Sequence, residues 1–297
     1  MGSICADIDN DGDQDIFVVN DVAGNFLYRN DGTGHFDEIA LFAGLAYNGQ
    51  GDETGSMGVD CGDYDNDGLA DFCMTAYQGE MPVLYHNNGD GTFEDRTLVA
   101  NAGDGCFPYV NWGVGFVDLD NDGDRDLFIA NGHLMDNIDL FDHSTAYKVR
   151  NVVLENDGTG RFRNISESCG DGLAPVESSR GAAFGDLDND GDLDIVVLNS
   201  RAKPTIIRND QSTGNHWLQV RLRGVRSNRD GIGATIRVTA GGKTLYDDVH
   251  SGRGYQSHWG LWVHFGVGKA DHIDRLEVRW PSGTIDVLTN VAVDRRL

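Results

Sequence analysis

The chain has 297 residues, 39% of them hydrophobic, and no apolar run approaches the roughly 18 residues that cross a bilayer. Its 40 glycines and only 5 prolines predict many tight turns, and hence β-structure. The 48 acidic and 23 basic residues give a formal charge of -25. This charge argues against a nucleic-acid partner, since phosphates would be repelled, and it fits a protein that binds cations.

The charge is unevenly distributed and predicts two domains, residues 1–214 and 215–297. The second part holds 12 basic and 8 acidic residues, a charge of +4, which leaves -29 on the first. We expect the basic part to face the acidic part or an external anion such as a sulfated glycan. The candidate contacts are Arg221, Arg223, Arg237, Arg275 and Arg279.

The first 15 residues are acidic and lack the basic and apolar regions of a signal peptide. An exported protein with this start would use a leaderless route, or its natural start would lie outside this chain.

A nine-residue pattern, Asp-x-Asp-Asn-Asp-Gly-x-x-Asp, occurs four times at spacings of 56, 55 and 68 residues. We call these copies loops 1 to 4: Asp7–Asp15, Asp63–Asp71, Asp118–Asp126 and Asp186–Asp194. A short apolar run follows each loop and predicts a buried strand. Three copies then reach an Asn-Gly turn signature that predicts a hairpin, at 30–36, 87–93 and 156–162. A period near 55 residues with several strands is typical of a propeller blade.

The loop composition predicts sites for a hard cation. Asp at positions 1, 3 and 5 gathers oxygen ligands, Gly at position 6 permits the turn, and Asp at position 9 closes the shell. The competing interpretation is a set of acidic surface turns, but four copies in one register favour ion sites. An EF-hand is excluded because it needs Glu at position 12, where this chain has Val18, Met74, Ile129 and Val197.

These loops and the segments before them, such as Gly58–Gly62, Gly115–Val117 and Ala183–Gly185, resemble FG-GAP (VCBS) repeats, which build integrin-α-like propellers. The resemblance implies Ca²⁺ ligation by the side chains at positions 1, 3, 5 and 9 and by the carbonyl at position 7. In loops 1 and 2 the implied ligands are Asp7, Asp9, Asp11, Asp13, Asp15, Asp63, Asp65, Asp67, Leu69 and Asp71. In loops 3 and 4 they are Asp118, Asp120, Asp122, Asp124, Asp126, Asp186, Asp188, Asp190, Asp192 and Asp194.

Residues 215–297 predict antiparallel strands. The segment 217–223 alternates apolar and polar residues, and hairpins are predicted over 234–249, turning at Gly241-Gly242, and over 276–288, turning at 281–283. The segments Gly231–Ala234, Ser251–Tyr255, His264–Gly268 and Val278–Gly283 resemble the ASPIC/UnbV domain, found at the C-terminus of cartilage acidic protein and of many FG-GAP proteins.

We therefore predict an all-β chain. An incomplete, open integrin-α-like β-propeller segment of about four blades, the first lacking its leading strand, precedes a small antiparallel β-sandwich-like domain. Cys5, Cys61 and Cys73 are expected to fill the core, and the sequence leaves open whether Cys106 and Cys169 pair. The histidines lack zinc-ligand spacing, and Trp112, Trp259 and Trp262 are expected to pack in the core.

Two classes of function fit these patterns. The first is a calcium-binding extracellular or cell-envelope module for adhesion or ligand binding, whose partner is an extracellular protein or a glycan. The second is an enzyme or biosynthetic accessory protein that uses the propeller face or the second domain. A fold resemblance does not decide between them.

Overall fold

The computed structural model describes residues 2–297, and its first part is a row of four antiparallel sheets, the blades. Blade 1 contains β1 (Gly2–Ala6), β2 (Asp15–Val19), β3 (Phe26–Asn30) and β4 (Phe36–Glu38). Blade 2 contains β5 (Val59–Gly62), β6 (Asp71–Met74), β7 (Val83–Asn87) and β8 (Phe93–Asp95). Blade 3 contains β9 (Asn111–Val117), β10 (Asp126–Asn131), β11 (Val152–Asn156) and β12 (Phe162–Asn164). Blade 4 contains β13 (Ser179–Gly185), β14 (Asp194–Asn199) and β15 (Thr205–Ile207).

The expectation that blade 1 lacks its leading strand is wrong. Residues Gly2–Ala6 form that strand, because five residues before loop 1 are enough to pair in register with β2, from Gly2↔Val19 to Ala6↔Asp15. The described blade with fewer strands is blade 4, which has three.

Each acidic loop joins the first two strands of its blade. The residues that flank the loops are paired, Ala6 with Asp15 in blade 1 and Gly62 with Asp71 in blade 2. Blades 3 and 4 repeat this register, with Val117 opposite Asp126 and Gly185 opposite Asp194. The four loops therefore lie at the same end of their blades.

Apolar side chains fill the space between neighbouring blades, so three separate cores hold the row together. Between blades 1 and 2, the rings of Phe17 and Phe72 lie 4.8 Å apart. The expected burial holds for Cys61 and Cys73, but Cys5 is exposed because no described blade covers the outer side of blade 1. Cys106 and Cys169 are both free.

Helices are short in this chain. Two α-helices, α1 (Ala40–Ala43) and α2 (Thr97–Ala100), follow the outer strands of blades 1 and 2. Two 3₁₀ turns lie at Ile138–Leu140 and Asp171–Leu173. Within residues 2–297, no helix has both the length and the apolar character that a membrane span requires.

The C-terminal domain contains two sheets packed face to face. One consists of β16 (His216–Arg221), β19 (Trp262–Gly268) and the short β22 (Arg295–Arg296). The other consists of β17 (Thr235–Ala240), β18 (Lys243–Asp248), β20 (His272–Arg279) and β21 (Ile285–Ala292). Both predicted hairpins are present, and the first turns at Gly241-Gly242. A core that includes Ile236, Val263 and Phe265 lies between the sheets.

We call the first strand of each blade its inner strand. A segment of the C-terminal domain, residues 250–259, lies against the inner strands of blades 2, 3 and 4. Gly254 forms a β-bridge with Val59 of blade 2. The Arg253 guanidinium contacts the Asp60 carboxylate, with Nε 2.6 Å from Oδ1, and lies over the Trp259 ring. Arg125 of loop 3 lies 2.9 Å from Asp247. These ion pairs are buried, so they connect the two parts of the chain through their interior.

Removing one partner of the Arg253–Asp60 pair tests this connection. Arg253→Met leaves the Asp60 carboxylate buried without its cation, so we expect a loss of about 3–5 kcal/mol in the free energy of unfolding. Urea denaturation measures it. The matched control is Arg163→Met, which removes an exposed pair with Glu155 and is expected to cost less than about 1 kcal/mol. Equal effects of the two substitutions would contradict a structural role for the buried pair.

Candidate metal centres in the acidic loops

The ninth-position aspartate ties each loop to its blade. Asp71 accepts hydrogen bonds from the backbone N–H of Tyr64 at 3.2 Å and of Asn87, the last residue of β7, at 2.8 Å. Asp15, Asp126 and Asp194 accept the same pair of bonds in the other loops, at 2.8–3.1 Å. The loop and the third strand therefore share one carboxylate.

The aspartates at positions 1 and 5 are held by backbone N–H groups inside the loop. The aspartate at position 1 accepts a hydrogen bond from the backbone N–H of the Gly at position 6, as Asp118 does from Gly123 at 2.9 Å. The aspartate at position 5 accepts one from the backbone N–H of position 7, as Asp122 does from Asp124 at 2.8 Å. The same two bonds recur in loops 1, 2 and 4, where they involve Asp7, Asp11, Asp13, Asp63, Asp67, Leu69, Asp186, Asp190 and Asp192.

Two positions in each loop adopt positive φ. The Gly at position 6, predicted to permit the turn, has φ between 89° and 103° in the four loops. The Asn at position 4 also has positive φ, between 59° and 69°. The role of this Asn was missed in the sequence, although Asn in all four copies is the signal, because Asn adopts the left-handed region more readily than most residues.

Carboxylate oxygens converge in every loop. Groups whose oxygens lie within 4.8 Å of one another are Asp7, Asp9 and Asp15; Asp63, Asp65 and Asp67; Asp118, Asp120 and Asp122; and Asp186, Asp188 and Asp194. In loop 2, Asp65 and Asp71 also lie close to His86. The structure thus brings together three of the four predicted side-chain ligands in each loop. The carbonyl ligand at position 7 stays a prediction.

Several loop oxygens are buried with no hydrogen-bond partner among the described residues: Asp7 Oδ1, Asp65 Oδ1 and Asp118 Oδ1. A buried carboxylate oxygen without a partner is costly, since nothing replaces the water it has lost. A cation bound between the converging oxygens would supply the partner, so these residues fit a hard metal ion.

Burial also shifts the acidity of the loops. It raises the pKa of Asp63, Asp71 and Asp118 to about 7, and the nearby carboxylates of Asp71 and Asp122 add to the shifts of Asp63 and Asp118 respectively. The pKa of Asp15, Asp122 and Asp192 is raised to about 6, again mainly through burial. The loops therefore concentrate like charge in a place where the charged form is disfavoured.

Asparagine side chains connect each loop to its neighbours. The position-4 Asn66 donates to Asp124 Oδ1 of loop 3 at 2.6 Å, and Asn121 donates to Asp192 Oδ1 of loop 4 at 2.8 Å. In the opposite direction, Asn87 and Asn156 donate to the position-2 carbonyl of the preceding loop at 2.8 and 2.7 Å. The loops thus form one hydrogen-bonded row.

The C-terminal domain covers this row. The backbone N–H of Gly266 donates to Asp118 Oδ2 at 3.1 Å, and Arg296 lies 3.0 Å from Asp186 Oδ2. His264 Nε2 lies 2.6 Å from Asn121 Oδ1. Lys243 lies 3.3 Å from Asp124.

Among the arginines expected to face the acidic part, Arg237 and Arg279 do so: they donate to Asn10 Oδ1 at 3.0 Å and to the Asp11 carbonyl at 2.7 Å. Arg275 instead pairs with Glu277 of its own strand. Arg221 lies over the ring of Trp262, which is 41% exposed, so the expectation of a core position for this tryptophan is wrong.

Comparison with known proteins places this arrangement in a family. The FG-GAP-like repeat matches residues 7–74, 63–129 and 138–197, and the family described as ASPIC and UnbV matches residues 224–297. No curated protein matches the chain.

Solved structures show weaker likeness. A lectin of Agrocybe aegerita, described as recognising non-reducing terminal N-acetylglucosamine, is 20% identical, with 71% of this chain and 53% of that chain covered and a TM-score of 0.38. The exotype rhamnogalacturonan lyase YesX is 14% identical, with 99% of this chain and 49% of that chain covered and a TM-score of 0.35. The Vibrio cholerae biofilm matrix protein Bap1 is 11% identical, with 97% of this chain and 58% of that chain covered and a TM-score of 0.31.

The chain spans about half the length of these solved structures. At such low identity and TM-score they assign neither a fold nor a ligand, so the assignment rests on the repeats and their sheets. The repeat matches cover more than half of the chain. The chain belongs to the FG-GAP-like repeat family and carries an ASPIC/UnbV domain at its C-terminal end.

Proposed function

We propose that this chain is a calcium-binding module that acts outside the cytoplasm, where it adheres to or binds an extracellular protein or a glycan. FG-GAP repeats are typical of extracellular ligand-binding or adhesion-type modules. Calcium would be held in all four acidic loops by the side chains at positions 1, 3, 5 and 9 and by the backbone carbonyl at position 7. The ion would neutralise the carboxylates and fix the loop backbone.

The observation that carries the calcium assignment is the set of buried, unpartnered carboxylate oxygens, Asp7 Oδ1, Asp65 Oδ1 and Asp118 Oδ1. Their neighbours offer more carboxylate oxygens, and all-oxygen sets favour hard cations such as Ca²⁺ over softer metals. Extracellular calcium sites commonly have dissociation constants of about 0.1–1 mM. Sites of this kind would be filled outside the cytoplasm, because the cytosol does not supply calcium at such concentrations.

Removal of one ligand tests the calcium sites. Asp120→Ala is expected to lower the melting temperature in millimolar calcium and to change it little in calcium-depleted protein, because its carboxylate matters mainly as a ligand. A ligand that binds only the folded state contributes about 2.7 kcal/mol at 100 times its dissociation constant. Differential scanning calorimetry with and without calcium measures both effects.

The control for Asp120→Ala is Asp37→Ala, which removes an exposed aspartate of β4 and should be neutral in both conditions. If calcium depletion leaves the wild-type melting temperature unchanged, the loops are acidic turns and the calcium assignment is wrong.

The raised pKa values predict a pH dependence. Without calcium, Asp63, Asp71 and Asp118 hold protons up to about pH 7 in the folded state, whereas unfolded Asp releases them near pH 3.9. Because the folded state binds more protons over this range, the stability of calcium-depleted protein should fall as pH rises from about 5 to about 7.5.

Calcium holds these carboxylates in the ionised form, so the stabilisation by calcium should be larger at about pH 7.5 than at about pH 5. Melting temperatures at both pH values, with and without calcium, measure the difference. Asp118→Asn cannot titrate and should flatten the pH dependence of the calcium-depleted protein. A melting temperature that rises with pH in calcium-depleted wild type would contradict the prediction.

A screen of glycans and extracellular proteins tests the binding role. We expect at least one ligand to bind in millimolar calcium, to dissociate when calcium is removed and to bind again when it is restored. The Asp37→Ala protein serves as the unaffected control. Failure to bind any ligand, or binding that ignores calcium, would argue against a calcium-dependent adhesion module.

A further inference from the structure

A cleft of about 990 Å³ lies between blades 1 and 2, at the end of the blades opposite the acidic loops. One wall is formed by residues 47–54, which belong to the segment that joins the two blades. The other wall is formed by blade 2, through the β6–β7 connection and the residues that follow β8. The described lining residues all belong to the repeats, so the C-terminal domain leaves this cleft open.

The length of one connection explains why the cleft is open. In blade 3 the residues between the second and third strands, 132–151, number twenty, and they reach back to blade 2, where Gln78 donates to Asp142 Oδ2 at 2.6 Å. In blade 2 the corresponding connection, 75–82, has only eight residues. The space beside blade 1 therefore stays free for another molecule.

Hydrogen bonds hold the two walls in place. The backbone N–H of Gly49 donates to Asp95 Oδ2 at 2.7 Å, and that of Gly55 donates to Glu80 Oε2 at 2.8 Å. Asn48 Oδ1 accepts two backbone N–H groups of its own turn, at 2.8 and 3.0 Å. The joining segment is thus fixed to blade 2 at two points, and a preformed cleft spares a ligand part of the cost of ordering its site.

The charged residues that line the cleft are all acidic: Asp52, Glu53, Glu80 and Asp95. The described lining contains no lysine, arginine or histidine. Asp52 and Glu53 are exposed, and their carboxylates accept no hydrogen bond from the described residues. A concave site with charge of one sign attracts ligands of the opposite sign, so this cleft favours a cation and repels phosphate or sulfate groups.

Exposed apolar side chains also line the cleft. Val22, Tyr47, Leu98, Val99 and Phe107 are each between 38% and 72% exposed. A group of exposed apolar side chains around one concave site marks an interaction surface. The lining therefore offers carboxylates and apolar contacts together.

We propose that this cleft binds a basic peptide segment of an extracellular protein, in which lysine or arginine side chains alternate with apolar ones. Such a segment uses both properties of the lining, because its cations meet the carboxylates while its apolar side chains and the lysine or arginine stems cover the exposed apolar residues. A neutral glycan would leave the charge unused, and a metal ion would leave the apolar residues uncovered. The volume lies at the upper end of the range of about 300–1,000 Å³ for small-molecule sites, which leaves room for several side chains. The proposal rests on the binding role proposed above and selects a protein as the partner.

Fluorescence anisotropy tests this proposal with a short labelled peptide that alternates lysine and leucine, in millimolar calcium so that cations already fill the acidic loops. The wild-type protein should bind this peptide about tenfold more tightly than a matched peptide with glutamine in place of lysine. The double variant Asp52→Asn with Glu53→Gln should bind the lysine peptide about tenfold more weakly, because two ion pairs are lost. Phe107→Ala should weaken binding about fivefold through lost apolar contact.

Two controls match these variants outside the cleft. Asp37→Asn with Glu167→Gln removes the same charge from exposed positions, and Phe42→Ala removes an exposed aromatic ring of α1. Both should bind the lysine peptide like wild type. Equal weakening by the control and cleft variants overturns the proposal, because the attraction would then come from the overall charge. Equal binding of the two peptides by the wild-type protein overturns it as well.

Two further measurements separate the alternatives. If the uncharged oligosaccharide cellotetraose binds, loses affinity in Phe107→Ala, and the lysine peptide does not bind, the cleft is a glycan site and the proposal is wrong. Melting temperatures with and without calcium test the acidic loops independently. A normal calcium response without peptide binding overturns the cleft proposal alone, whereas peptide binding without a calcium response supports the cleft and contradicts only the calcium assignment.

Discussion

Buried like charge in the acidic loops is the constraint on which the rest of the structure depends. Asp63 and Asp118 are almost fully buried and lie within reach of other carboxylates, so ionised loops repel themselves in a region of low polarity. Backbone N–H groups of the loops offset part of this cost. The position-6 and position-2 amides aim at the first and ninth aspartates, as in loop 3. Asp7 Oδ1, Asp65 Oδ1 and Asp118 Oδ1 are buried without a hydrogen-bond partner, so these amides do not satisfy every carboxylate oxygen.

The C-terminal domain supplies the positive charge that the repeats lack. Arg279, Lys243 and Arg296 reach loops 1, 3 and 4, and Gly266 donates to the same Asp118 carboxylate that accepts a bond from its own loop. The loops are therefore shared between both parts of the chain. A cation bound in a loop would change the surface on which the C-terminal domain lies, so we expect cation binding and domain docking to be linked through the same carboxylates.

The sequence pattern over a few neighbouring residues was enough to predict those parts of the structure that depend only on residues close together in the chain. The loops, the strands that follow them and the hairpin turning at Gly241-Gly242 were predictable because turn residues and apolar runs are read within a few positions. Contacts between distant segments were not. The exposure of Cys5 depends on what covers blade 1, and the amide of Asn87 reaches a carbonyl 79 residues away. No local pattern states that Arg253 finds its partner in Asp60.

Close approach of the inner strands explains why blades 2, 3 and 4 have a glycine at or next to the inner strand: Gly58, Gly113 and Gly181. A Cβ added to Gly58 would lie 2.1 Å from the carbonyl oxygen of Trp112 in the next blade, and one added to Gly113 would lie 2.7 Å from that of Arg180. Each blade therefore needs a residue without a side chain where its inner strand meets the next. At the equivalent Gly181 of blade 4, the oxygen that a Cβ would meet at 2.9 Å belongs to Tyr255 of the C-terminal domain. The segment 250–259 thus takes, at the inner end of blade 4, the place that a following inner strand has elsewhere. Because it covers only that end, the outer strands of blade 4 keep an apolar face that the same repeat buries everywhere else in the row.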